Sequence, residues 1–189
     1  MVNISATVDD ISATVIELAA EAGATHARVR TTEGLRVEDE VRNNCLVNYC
    51  GKSGKSWTCP PHTGELAALG ARLLAYPQGV VLQSIAAVED SWDFEGMTEA
   101  AHAHNRMVRA LVEQMTARYP ALEILAFGCG SCNFCEKCTC PDAPCRFPDQ
   151  AMSSVEAQGL DINALVKSVD LNYINGVNTV SYVGMVLWR

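Results

Sequence analysis

Six of the nine cysteines in this 189-residue chain lie between positions 129 and 145. Cys129, Cys132, Cys135, Cys138, Cys140 and Cys145 read C-x2-C-x2-C-x2-C-x-C-x4-C. The other three, Cys45, Cys50 and Cys59, occupy the N-terminal half. A two-residue spacing lets a tightening loop present successive thiolates to one inorganic centre, and Gly128, Gly130 and the prolines permit the turns. C-x2-C-x2-C followed by a further cysteine is the pattern of bacterial ferredoxins. Cys132, Cys135 and Cys138 supply the triplet here. Two ligand sets follow. In one, Cys145 joins the triplet around a single [4Fe-4S] cluster. In the other, a late cysteine, such as the Cys140 that directly precedes Pro141, crosses to a second site. The local set is preferred. A structural zinc site is the alternative. Such sites commonly use two separated C-x2-4-C pairs, and this segment has more close-set thiols than one zinc needs.

The first group sits in CLVNYCGKSGKSWTCPPHTG, residues 45–64. Three thiolates there suit a cluster with one iron left open or held by a non-cysteine ligand, and an open iron acts as a Lewis acid. Alternatively Cys129 or Cys140 completes the set. Lys52 and Lys55 in GKSGKS lack the spacing of a phosphate loop. Lysines near an anionic cluster would instead tune its potential or receive an anionic substrate. Trp57 is read as a shield for this site or an ordinary core aromatic, His62 as a weak candidate fourth ligand, and Arg146 as a residue covering the second cluster. His104, on an otherwise apolar helical face, is expected to be a hydrogen-bonded core residue.

A disulfide scaffold is disfavoured by the odd cysteine count and by a composition, 49% apolar, that supports an ordinary core. The opening MVNISATVDD has neither a basic start nor an apolar run, so it does not read as a secretory signal. No stretch approaches the roughly 18 apolar residues of a membrane span. A cytoplasmic location, where thiols stay reduced, is expected. Fourteen basic against 22 acidic residues argue against a nucleic-acid surface.

The elements that must position these thiols alternate in type. Ile11, Val15, Leu18 and Ala19 recur at helical spacing before Gly23. Residues 25–30 read as a strand and 31–61 as irregular. Thr63 is expected to cap a helix carrying Leu66, Leu69 and Leu73. Residues 79–88 read as a buried strand and Glu89–Glu95 as a loop. Residues 98–118 form the clearest helix, with Ala101, His104, Val108, Leu111 and Met115 on one stripe. Strand-like 122–127 runs into the dense cysteine segment. Short helices follow near 151–158 and 161–169, and 180–188 is a final strand. The expected fold is α/β or α+β: a mixed sheet covered by helices, with a cysteine-rich metal-binding insertion. The organisation expected is a scaffold over 1–127 with the first cysteine loop, an insertion over 128–160 that metal must organise, and a returning helix and strand over 161–189.

The motif C-x4-C-G-K-x-G-K-S-W-x-C-P-P at 45–61 resembles the first motif of the domain-of-unknown-function family 2284. The later match is Cys132, Cys135, Cys138 and the turn Pro144, Cys145, Arg146, Pro148. SSVEAQGLDI and the closing NYINGVNTVSYVGMVLW also resemble it, so the likeness spans roughly 25–188. Cys129 and Cys140 are additional to the expected later quartet, and the gap between Cys45 and Cys50 is wider than the pattern. The resemblance implies metal binding and an iron-sulfur centre.

Three functions follow. The leading one is a cytosolic iron-sulfur protein holding one or two [4Fe-4S] clusters for electron transfer to a redox partner protein. The second is a redox or lyase-type enzyme with an open iron near Cys45, Cys50 and Cys59, acting on a small molecule. The third is a structural zinc module for protein interaction. No catalytic triad is evident, and a homodimer is compatible with the sequence.

Overall fold

The computed structural model describes residues 7–189, so the first six residues of the opening segment read above lie outside it. The elements are α1 (Val8–Glu21), β1 (His26–Thr31), α2 (Asp39–Val47), α3 (Leu66–Leu74), β2 (Gln78–Ala87), α4 (Phe94–Arg118), β3 (Ile124–Gly128), β4 (Ser153–Ser154), α5 (Ile162–Lys167) and β5 (Thr179–Trp188). A 3-10 turn at Glu156–Gln158 separates β4 from α5. Thr7 and Asp10 form a reciprocal capping box at the start of α1, satisfying donors that the first turn leaves open.

The strands form one mixed sheet in the order β1-β2-β5-β3-β4. Its first four strands pair antiparallel, and β4 runs parallel to β3. Alternation along each strand sends side chains to two cores. Val80, Leu82, Val186 and Trp188 meet Ile11, Val15, Val108, Leu111 and Met115 of α1 and α4. Val81, Val183, Met185 and Leu187 meet Leu73 of α3 and Leu165 and Val166 of α5. Each such side chain contributes about 1.5–3 kcal/mol by leaving water, so this scaffold has a core that involves none of the cysteines. No helix among the described residues is long and apolar enough to cross a membrane.

The expected mixed sheet with helical cover is present. Several boundaries differ, each for a physical reason. Residues 31–61 are not all irregular. They contain α2, whose only buried residue is the polar Arg42, so no apolar stripe announced it. Thr63 does not cap α3, because Glu65 occupies that position, and Thr63 accepts a hydrogen bond from Arg42 instead. The helix read at 98–118 begins earlier, where the Asp93 carboxylate accepts from the Gly96 N–H at 2.8 Å. The helix read at 151–158 is the short β4 followed by a single 3-10 turn. That turn ends at Gly159 with φ +83, where a Cβ would stand 2.5 Å from Leu66 Cδ1.

His104 is a core residue, as expected. Its Nδ1 lies 2.8 Å from the Ser84 hydroxyl, Nε2 has no partner, and burial pushes its pKa down to about 4. The imidazole is therefore neutral in the fold, while in the unfolded chain it titrates near 6.5. Below about pH 6.5 the unfolded chain takes up a proton that the native state refuses, so stability falls until the native pKa is reached. Between pH 7 and 4.5, metal-free reduced protein should lose roughly 2–3 kcal/mol more than His104→Gln in urea unfolding. Equal acid sensitivity of the two proteins would contradict this assignment.

Candidate metal centre

The dense cysteine segment leaves the sheet at the end of β3, and α4 fixes its departure. The side-chain amide of Asn105, buried in α4, grips Cys129 at both ends. Cys129 N–H donates to Asn105 Oδ1 at 3.0 Å, and Asn105 Nδ2 donates to the Cys129 carbonyl at 3.0 Å. Gly128 makes room for this, since a Cβ there would meet Asn105 Oδ1 at 2.1 Å. One turn along α4, Arg109 donates to the Gln150 carbonyl at 3.2 Å, to Asn133 Oδ1 at 3.3 Å and to Cys132 Sγ at 3.9 Å. Its guanidinium also lies 5.3 Å from the Phe134 ring centre.

The first cysteine loop is joined to the second through Ser56, Trp57 and Thr58. Cys132 N–H donates to Thr58 Oγ1 at 3.2 Å, and Ser153 of β4 donates to the Thr58 carbonyl at 2.9 Å. Trp57 Nε1–H donates to the Ala143 carbonyl at 3.1 Å, and its ring meets His62 edge-on at 4.6 Å. Cys138 lies against the same turn. Burial would raise its thiol, but the N–H groups of Cys140 and Trp57, the Ser56 hydroxyl and the Thr139 N–H outweigh burial and bring it below the ordinary thiol value. Such donors stabilise negative sulfur.

The second segment closes on itself. Phe134 and Phe147 pack edge-to-face at 5.1 Å, Arg146 donates to the Lys137 carbonyl, and Thr139 Oγ1 donates to the Pro144 carbonyl at 2.8 Å. These contacts bracket Cys135, Cys138 and Cys145, all partly accessible. Cys129 and Cys140 differ from them. Both are buried, and their sulfurs lie 3.6 Å from the Ala101 carbonyl and 3.7 Å from the Gly54 carbonyl. A sulfur beside a carbonyl is a protonated thiol acting as donor. Burial, followed by the carboxylate of Glu156, pushes Cys129 up to about 12.

Cys45, Cys50 and Cys59 line one cavity of about 450 Å³, together with Lys52, Gly130, Ser131, Ser154 and Glu156. Burial raises the Cys45 and Cys59 thiols. Glu156 raises Cys45 further, and Cys50 raises both. Arg42 sets this cavity's walls. From α2 its guanidinium donates to Thr63 Oγ1 at 2.6 Å, the Ala157 carbonyl at 2.6 Å and the Gly64 carbonyl at 2.8 Å. It thereby ties the cysteine loop to the 3-10 turn that carries Glu156. Arg42→Ala strips buried carbonyls of a charged donor and should cost about 3 kcal/mol in urea unfolding. A loss under about 1 kcal/mol would show that the tie is dispensable.

Lys52 also lines a second cavity, of about 620 Å³, with Cys129, Cys132, Cys135, Asn105 and Tyr182. Gly130 and Ser131 belong to both linings, so the two cysteine groups are neighbours across one stretch of backbone. Lys55 and Arg146 are exposed, and His62 lines neither cavity. Trp57 is not an isolated core aromatic but a tether between the cysteine segments. Among the described residues, no three His, Cys, Asp or Glu side chains converge closely enough to hold a single metal ion. All nine cysteines are free thiols.

Asn105, Arg109 and Glu156 were not identified from the sequence. Asn105 sits among the apolar residues of α4, and a polar residue there is the signal that could have marked it. Glu156 lies in SSVEAQGLDI, a segment marked by its family resemblance and not by any ligand spacing.

The family described as "Predicted metal-binding protein (DUF2284)" matches residues 28–188. No curated protein and no solved structure matches the chain.

Proposed function

We propose that this chain, which belongs to the DUF2284 family of predicted metal-binding proteins, is an iron-sulfur protein that transfers electrons through a [4Fe-4S] cluster in its cysteine-rich segment. Cys132, Cys135, Cys138 and Cys145 hold the cluster. Cys129 and Cys140 remain protonated and structural. The observation that carries the reading is the meeting of both cysteine segments at Cys132, whose N–H donates to Thr58 Oγ1 at 3.2 Å and whose Sγ lies 3.9 Å from the Arg109 guanidinium. Thiolate ligands need such donors, and hydrogen bonds to sulfur tune a cluster's potential. Six close-set cysteines between positions 129 and 145 are more than one zinc ion needs. One zinc ion draws four ligands to about 2.3 Å of a single point, whereas a cubane spreads its thiolates over four irons. The acidic chain, with formal charge −8, suits a basic redox partner, and a reducing compartment such as the cytoplasm suits nine free thiols.

A second reading is favoured by one specific feature, the cavity beside Cys45, Cys50 and Cys59. Three thiolates there hold a further cluster whose remaining iron is not bound by cysteine. That iron would supply Lewis-acid chemistry to a small molecule, with Lys52 at the cavity wall offering charge to an anionic one.

Stoichiometric titration of anaerobically purified protein with dithionite, followed by electron paramagnetic resonance, tests the electron-transfer reading. A reversible one-electron signal from a reduced cluster is expected. Protein that takes up no electrons and gives no signal would contradict it.

A further inference from the structure

The strongest unexplained group in the molecule is the carboxylate of Glu156. It lines the cavity shared by Cys45, Cys50 and Cys59. Its Oε2 is buried and has no hydrogen-bond partner. The nearby arginine does not serve it. Arg42 spends its guanidinium on Thr63, Gly64 and the carbonyl of Ala157, the residue next to Glu156. The two ion pairs among the described residues are Arg106–Glu99 and Arg189–Glu123, and Glu156 is in neither. Of the six buried side-chain polar atoms without a partner among the described residues it is the one carboxyl oxygen, and a metal ion is a partner that would satisfy it.

The placement of this oxygen is rigid. Ser154 Oγ accepts the Ala157 N–H at 3.1 Å, and the Gly159 N–H donates to the Glu156 carbonyl at 2.8 Å, which locks the turn. The Gly159 carbonyl in turn accepts from the Glu38 N–H at 2.8 Å, fastening the turn to the start of α2, the helix that carries Cys45. Glu156 and the three thiols therefore belong to one braced wall system and not to independent loops.

We infer that Glu156 is the oxygen ligand of the iron that Cys45, Cys50 and Cys59 leave unbound, giving this cavity a cluster with three thiolates and one carboxylate. The inference rests on the reading that the first cysteine group holds a cluster, and it adds the identity of the fourth ligand. A carboxylate is a harder and more readily displaced ligand than a thiolate. Glu156 would hold the iron in the resting protein, and an anionic small molecule of comparable hardness, such as another carboxylate, would be able to replace it there. Lys52, which lines the same cavity, supplies the countercharge for that entering ligand.

The test is Mössbauer spectroscopy of the full chain carrying iron-57 clusters, on wild type, Glu156→Gln and Glu156→Cys, each with its iron count. In wild type, about one-eighth of the iron, one of eight, should form a separate doublet from an oxygen-bound site. Glu156→Cys should keep about eight irons and lose that doublet. Glu156→Gln has nearly the same shape, so it keeps the wall intact; it should alter the doublet while keeping about eight irons. The inference is overturned if wild type lacks the separate doublet, or if Glu156→Gln and Glu156→Cys both leave it unchanged. A wild-type count of about four irons would instead remove the first-group cluster itself, and the inference with it.

Discussion

Cys138→Ala is expected to lower the metal content of anaerobically purified protein by about four irons and four sulfides per chain, whereas Cys129→Ala and Cys140→Ala leave it unchanged. The contrast follows from where each sulfur points. Cys138 is partly accessible, and against the effect of burial the neighbouring Cys140, Trp57 and Thr139 N–H groups and the Ser56 hydroxyl bring its thiol below the ordinary value. Cys129 and Cys140 face the Ala101 and Gly54 carbonyls. A thiolate aimed at a carbonyl oxygen is repelled, so those positions favour S–H. Each of the three substitutions removes one sulfur, so a difference in metal content among them reports ligation. A different pattern, with Cys140→Ala losing the four irons and Cys138→Ala keeping them, would reverse the ligand assignment.

Chelating the metal should unfold the cysteine segment while leaving the scaffold folded. Between the end of β3 at Gly128 and β4 at Ser153 there is no helix or strand. Pro141, Asp142, Ala143, Pro144, Arg146, Phe147 and Pro148 are all exposed. A stretch of this kind buries too little apolar surface to offset its ordering entropy, and metal binding supplies the difference. Trypsin cleavage at the exposed Lys137 and Arg146 should accelerate on the order of tenfold or more after chelation. The helical circular dichroism signal should change little, because α1, α4 and the sheet share a core that contains no cysteine. Unchanged cleavage at both sites would mean that the segment is held by its protein contacts alone.

The parts of the fold that repeat at apolar spacing were readable in advance. The stripe Val108, Leu111, Met115 of α4 and the runs of β2 and β5 are buried where periodicity placed them. What escaped was structure held by polar bonds. α2 is fastened through Arg42, and Arg42's partners are backbone carbonyls more than twenty residues away, which no local pattern encodes. The same applies to the site. Cysteine spacing announced two thiol groups, but their joining depends on Thr58 meeting Cys132 and Trp57 meeting Ala143, contacts spanning 74 and 86 residues. Glu156 was hidden for a further reason. A glutamate is ordinary in a sequence and unusual only once its Oε2 is buried without a partner.

Joint quantification of iron, acid-labile sulfide and zinc in protein purified without oxygen decides between iron-sulfur and zinc. Protein with both cysteine groups loaded should carry about eight irons and eight sulfides per chain with negligible zinc. About four of each would leave the cluster of the cysteine-rich segment standing and remove the one beside Glu156. Stoichiometric zinc with no sulfide would contradict the iron-sulfur reading.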